Sequence, residues 1–474
     1  DKWYHLFDKA DTEPPRFLEF ERWWGGYYLM NREEIEWITR NLFVGNKLWS
    51  GDTKSASGKS FDLRDIKSPI VLFASMGDNI TPPQQAFNWV ADVYGSTEEI
   101  KSRGQVIVGL LHEDIGHLGI FVSGKVAKKE HSQIVSVLKT IEMLPPGVYG
   151  MAITERKKAV GSDPEYDVEF REHRLEEIID RLNRLGRVDE KPFEAVAAVS
   201  DFNQRAYELF AQPIVQAMSN EASAEMLREM HPLRLQNWAI SSLNPWLSWL
   251  APAADIARNN RMALEPEHPL RKGEQLGAQV ISASLDYYRA MRDAATEAGF
   301  FNTYGGLFSL YSDERDEQPD AADGTSLASQ HVDAALASIA EGGYTEALAR
   351  VAFLLTRSDE PLPLSRLEMR QELVADYADY LPDMPIHEWR RVRGTQEIIV
   401  QHAADEAVAT LPALLGEPNA RARLLALLDK LMGDRRVLGR SPTAAQLATL
   451  ARIRTVLGEK VPRRRPTLVR ARAA

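Results

Sequence analysis

The sequence predicts a mixed fold, α/β plus all-α: an α/β region first, then an extended helical region. Three observations carry this. Residues 69–74 and 105–111 are short, continuous apolar runs, the pattern of parallel strands covered on both faces. Each is followed by a polar turn and then a helical segment, the alternation of an α/β layout. From Leu175 onward nearly every segment has helical period.

In order along the chain, residues 1–50 are aromatic-rich, with Ile35, Ile38, Leu42 and Phe43 at helical spacing. Residues 51–60 form a polar loop. The first strand ends in Ser75-Met76-Gly77-Asp78-Asn79, and a helix follows through Val93, with Thr81 as N-cap and proline in its first turn. The second strand leads into His112-Glu113-Asp114-Ile115-Gly116-His117, and a helix is expected over residues 125–138. Residues 149–154 and 166–172 alternate as a hairpin around Gly161-Ser162-Asp163-Pro164. Leu175, Ile178, Ile179 and Leu182 form one helical stripe, closed by Gly186 as a C′ residue. The expected division is an α/β part over 1–150, a hairpin over 151–174, a helical domain over 175–311, a linker over 312–328, a helical bundle over 329–460 and a basic tail over 461–474.

A hydrophobic fraction of 44% with 26% charged residues is that of a globular protein, and 474 residues suit two or three folding units. The net charge of −11 argues against general nucleic-acid binding, which needs a surplus of cations. With no cysteine, disulfides, thiolate metal sites and a cysteine nucleophile are excluded within these residues. No apolar run is long enough to span a bilayer and no signal-peptide pattern opens the sequence, so cytoplasmic residence is the expectation. No cofactor or metal is expected.

Asp78 and His117 are the candidate catalytic pair. Both sit where a strand ends, acid before histidine, 39 positions apart. In α/β-hydrolases the triad runs nucleophile, acid, histidine, each on a loop at a strand end. The acid fixes the imidazole tautomer, so that the other ring nitrogen can take a proton from the nucleophile. The plainer reading makes Asp78 a turn residue and His117 a loop histidine. No Gly-x-Ser-x-Gly elbow precedes Asp78; Ser57, Ser60, Ser75 and Ser123 read as loop and turn hydroxyls. The expectation is therefore the carboxy-terminal half of an α/β-hydrolase parallel sheet, beginning after its nucleophile.

Two motifs fail on spacing. Gly58-Lys59-Ser60 would need glycine at position 53 to make a phosphate loop, and Thr53 stands there. His112-Glu113 with His117 has its histidines five apart, not four, so it is not a zinc helix. The aromatic segment with Trp23 and Trp24 reads as a lid or pocket wall for an acyl group, or equally as core packing. His112 is a candidate substrate contact beside it. Arg234 could reach a ligand phosphate, although a surface ion pair at a helix entry suits it better.

Phe17-Leu18-Glu19-Phe20-Glu21-Arg22-Trp23-Trp24-Gly25-Gly26, Asn41-Leu42-Phe43-Val44-Gly45-Asn46-Lys47-Leu48, Gly77-Asp78-Asn79-Ile80-Thr81-Pro82-Pro83-Gln84-Gln85 and Gly116-His117-Leu118-Gly119-Ile120-Phe121-Val122-Ser123-Gly124 together resemble a bacterial family similar to polyhydroxyalkanoate synthases. His231-Pro232-Leu233-Arg234-Leu235-Gln236 extends the resemblance into the helical region. It implies a hydrolase domain whose elbow, typically a cysteine, precedes this chain, with Asp78 as acid and His117 as base. The implied function is acyl transfer from a thioester such as a 3-hydroxyacyl-CoA. An ester or thioester hydrolase is the alternative within the same fold, and a non-catalytic scaffold with a vestigial hydrolase half is the rival from another class. Residues 340–414 also resemble the helical domain of tellurite-resistance-type proteins, where Asp359, Glu360 and Asp376 would be metal-binding carboxylates, against a solvated helix face. The open edge of a half sheet makes a homo-oligomer an expectation.

Overall fold

The computed structural model describes residues 5–458, apart from residues 8, 27, 45–46, 49, 52, 55–57, 157–164, 185, 261, 263, 310–322, 357–360 and 439–441. The expected hairpin tip, Asp359, Glu360, the basic tail and residues 312–322 of the expected linker lie outside the described residues. The remainder of that linker is helical, because a helix already begins at Asp323.

The chain forms two compact units. One joins Asp1–Lys47 to Val188–Asp316, the other Leu48–Arg187 to Glu317–Ala474. The aromatic amino-terminal segment thus belongs with the middle helices rather than with the strands. Within the first unit, helices Pro14–Trp24 and Pro269–Phe300 carry no buried residue, and Arg40 pairs with Glu208 at 3.0 Å.

The second unit is built on a mixed sheet. Among the described residues its strands run in the order β1 (Ile70–Ser75), β2 (Val106–His112), β3 (Gly147–Arg156), β4 (Glu165–His173) and β5 (Leu362–Pro363). β1, β2 and β3 are parallel, whereas β4 is antiparallel to β3 and to β5. The second apolar run forms its strand for the expected reason, whereas Ile70, Val71, Leu72 and Phe73 of the first are only partly buried. Val106, Ile107 and Val108 are fully buried, and each such side chain contributes about 1.5–3 kcal/mol. The hairpin is not a separate element: Val106–Gly109 pair with Gly147–Gly150, which makes β3 the third strand of the parallel set.

Helix α1 (Pro83–Tyr94) buries Phe87, Val90 and Tyr94. α2 (Thr97–Arg103) follows directly. α3 (Leu175–Leu182) docks on α1 through reciprocal amide hydrogen bonds between Asn88 and Asn183, at 3.0 and 2.9 Å. It ends at Asn183, three residues before the expected glycine. The expected helix over 125–138 is interrupted: Ala127–His131 is a π-turn, and a break at Val137 precedes Leu138–Glu142.

The carboxy-terminal helices α4 (Tyr344–Leu354), α5 (Leu364–Asp376), α6 (Ile386–His402), α7 (Pro418–Gly433) and α8 (Ala444–Val456) belong to this same unit. They enclose a helical core around Leu348, Leu411, Leu424 and Ile453. A second core joins Leu362 and Leu367 to Val108, Tyr149 and Phe170 of the sheet. α6 crosses α2 almost backbone to backbone. A Cβ on Gly394 would fall 1.8 Å from the Lys101 carbonyl oxygen, so only glycine permits this crossing. Among the described residues no helix is long and apolar enough to cross a membrane.

Candidate active site

Register brings the two candidate loops together. Ser75 is paired with His112 at the ends of β1 and β2, so the chain leaves both strands at the same carboxyl edge. Ligand sites in open parallel sheets form at this edge. The Met76 amide extends the ladder by donating to the His112 carbonyl at 2.9 Å. The Ser75 hydroxyl then donates to the Ile115 carbonyl at 2.6 Å and accepts from the Gly77 amide at 3.2 Å. Gly77 is required by contact: a Cβ there would lie 2.5 Å from the Asp114 carbonyl carbon.

This clamp sets Asp78 against His117. Oδ1 of Asp78 accepts from the Ile80 and Thr81 amides, both at 2.9 Å. Oδ2 accepts from the Thr81 hydroxyl at 2.7 Å and from His117 Nδ1 at 2.9 Å. Thr81 Oγ1 also lies 3.0 Å from His117 Nδ1. Its proton being committed to Asp78, that oxygen can only accept, so both contacts require the proton on Nδ1. Nε2 is therefore the basic nitrogen. None of the described residues bonds it, and the His117 side chain is 31% exposed.

The Asp78 side chain is fully buried. Burial alone would raise its carboxyl; hydrogen bonds from the Thr81 amide, His117, the Thr81 hydroxyl and the Ile80 amide outweigh it and hold the group well below the usual carboxylate range. The result is a fixed buried anion touching the Nδ1 edge of a partly exposed imidazole. Such an arrangement can orient the ring and stabilise it once protonated.

Thr81 does not cap the helix as its position suggests. Pro82 is the N-cap of α1 and has no side-chain acceptor to cap it with, while the threonine hydroxyl is taken by Asp78 and His117. A threonine three residues after the acid was the visible signal for this role.

The other candidates are placed as follows. His112 sits at the end of β2, mostly buried; its Nδ1 accepts from the Asp114 amide at 3.3 Å and its Nε2 stands 3.8 Å from the buried Glu130. Trp23 and Trp24 lie in the first unit, more than half exposed and packed with Phe20. Arg234 makes an ion pair with Glu229, the surface arrangement named above. Asp376 is paired with Arg436 at 2.7 Å. Among the described residues no group of three or more histidine and carboxylate side chains is arranged to hold a metal ion.

Fold and site define a mixed α/β protein with a carboxylate–imidazole pair on adjacent strand ends and a large helical complement. The chain belongs to the family described as protein of unknown function DUF3141, whose family model matches residues 1–341. It is similar to the uncharacterized protein in the ackA 5′ region of Rhizobium meliloti, with 35% identity over 427 residues. That match covers 88% of this chain but 58% of the relative, so the chain spans less than two thirds of the relative's length. No solved structure matches the chain.

Proposed function

We propose that Asp78 and His117 are the acid and base of an α/β-hydrolase-type relay, and that the whole protein is an acyltransferase resembling polyhydroxyalkanoate synthases. The observation that carries this reading is the Asp78–Thr81–His117 arrangement, with its proton on Nδ1 and its Nε2 unbonded by any described residue. The nucleophile of this reading stands outside residues 1–474. β1 is the outer strand of the sheet among the described residues, and a further strand beside it would bring an elbow to the same carboxyl edge.

In this chemistry a cysteine thiol or serine hydroxyl gives its proton to Nε2 and attacks the carbonyl of a 3-hydroxyacyl-CoA thioester. The tetrahedral adduct collapses, and the departing coenzyme A thiolate takes the proton back from Nε2. The acyl-enzyme then passes its acyl group to an acceptor hydroxyl that gives its proton to Nε2, and the bond to the nucleophile breaks as the freed thiolate or alkoxide takes that proton back, restoring the starting enzyme. Asp78 changes no bond in either step; it keeps the ring oriented and balances its charge.

The test uses the full-length protein, mixed with 3-hydroxybutyryl-CoA, quenched and weighed by mass spectrometry. A hydroxyacyl adduct on one residue preceding this chain is expected. Asp78→Asn and His117→Ala should slow its formation by roughly four powers of ten, about 5 kcal/mol of barrier. Wild-type rates in both variants, or thioester turnover by residues 1–474 alone, would overturn the reading. Release of free hydroxy acid with no acyl transfer would instead identify a hydrolase.

A further inference from the structure

The first unit lacks a core of its own. Among its described residues Ala195 alone is buried, and every other buried residue among those described belongs to the second unit. A self-sufficient domain of this size removes roughly two thirds of its surface from water on folding. The ion pairs of the first unit, such as Arg40 with Glu208 and Lys47 with Asp201, are partly exposed and cannot replace a core.

Helix Pro269–Phe300 shows what is left uncovered. Ile281, Leu285, Tyr288 and Met291 follow one another at spacings of four, three and three, so they line one side of it. Each is more than half exposed. Asp286, Asp293 and Glu297 fall on the opposite side. The helix thus has the two faces of one that packs, yet none of its residues is buried. A Cβ on Gly273 or Gly277 would meet nothing within 4 Å, so the apolar side stays open toward the amino end. Trp246 and Trp249 are also more than half exposed, as are Ile214 of helix Gln212–Met218 and Ile256 of helix Leu250–Asn259.

The distribution of these side chains favours one kind of cover. They recur on several helices, whereas a two-fold contact with a second copy joins a single self-complementary patch. A lipid surface with anionic headgroups would meet acidic side chains on Pro269–Phe300 and a net charge of −11. More polypeptide is at hand, because over a third of the Rhizobium meliloti relative lies outside the match. Asp1–Lys47 belongs to the first unit, so a segment joined ahead of it is held beside these helices at high effective concentration.

We infer that the segment of the full-length protein preceding these residues packs on the apolar sides of the first unit's helices and supplies the core that this unit lacks. This cover forms whether or not Asp78 and His117 act as a relay.

Two measurements on the full-length protein test this. With Leu285→p-benzoylphenylalanine, irradiation of dilute protein should join position 285 to a peptide preceding residue 1 of the same chain, at unchanged monomer mass. In the unaltered protein, hydroxyl-radical footprinting should find Tyr288 as protected as the buried Tyr94, oxidised at least about five-fold more slowly than in the urea-unfolded chain. Footprinting needs no substitution, so it decides even where the variant fails to fold. A cross-link from folded protein to a second copy, only to residues within 1–474, or only to lipid when phosphatidylglycerol vesicles are added would overturn the inference. So would Tyr288 oxidised in the monomer at its unfolded rate.

Discussion

His117 Nδ1 stands 2.9 Å from Asp78 Oδ2, and the hydroxyl of Thr81 touches both, at 3.0 and 2.7 Å. The three groups form a closed triangle in which only one arrangement of protons satisfies every contact. It exists because Ser75 and His112 share a register position, so the loops leave β1 and β2 side by side.

Thr81→Val removes the hydroxyl that donates to the carboxylate and receives Nδ1–H. Stability should fall by about 1 kcal/mol, read as a lower urea midpoint, and Thr81→Ser should restore it. The His117 tautomer should keep its proton on Nδ1 in the valine variant, because Asp78 Oδ2 still accepts it. Loss of the Nδ1–H form there would show that the threonine hydroxyl, and not the carboxylate, fixes the ring.

Gly77→Ala places a methyl group 2.5 Å from the Asp114 carbonyl carbon, against backbone that cannot swing aside. The two loops should part, with a loss of about 1–3 kcal/mol from overpacking. Thermal unfolding of the variant checks this; an unchanged midpoint would mean that the loops are looser than described.

The pH dependence follows from the carboxyl at position 78, whose folded value is depressed. Above the unfolded value of about 3.9 the unfolded chain gains no proton at this residue, and its stabilising contribution is fully present. As pH falls below that value the unfolded chain binds the proton first, and the contribution is lost. The gap in urea midpoint between the wild type and Asp78→Asn should therefore be constant near neutrality and close steadily below about pH 4.

Lys101 is buried between Glu172 and Glu397 and joins α2, β4 and α6. Lys101→Met should cost about 3–5 kcal/mol, because two carboxylates lose their cation. Adding Glu397→Leu should recover part of that loss, since Glu172 is 22% exposed and can reach water. A double variant as unstable as the single one would contradict this.

Local pattern made part of this legible. The strands β1 and β2 are continuous apolar runs, and the order of acid turn and histidine turn is visible in the chain, so Asp78 and His117 could be named together. What escaped is non-local. Whether β3 begins a separate hairpin or joins β2 depends on pairing across 41 residues, from Val106 to Gly147. Thr81 has the spacing of an N-cap, and only the fold shows that a buried carboxylate takes its hydroxyl. The bond from Lys101 to Glu397 spans 296 positions, and no periodicity announces it. The aromatic segment around Trp23 precedes the strands in sequence yet folds with residues 188–316, an interleaving that composition does not encode.

The central claim is that Asp78 holds the His117 proton on Nδ1 and leaves Nε2 as the base. Nitrogen-15 NMR of histidine-labelled protein at mildly alkaline pH reads this directly. The wild type should show His117 with Nδ1 protonated and Nε2 bare, and Asp78→Asn should lose that preference. A His117 ring in the wild type that carries its proton on Nε2, or a tautomer unchanged by Asp78→Asn, would contradict the account.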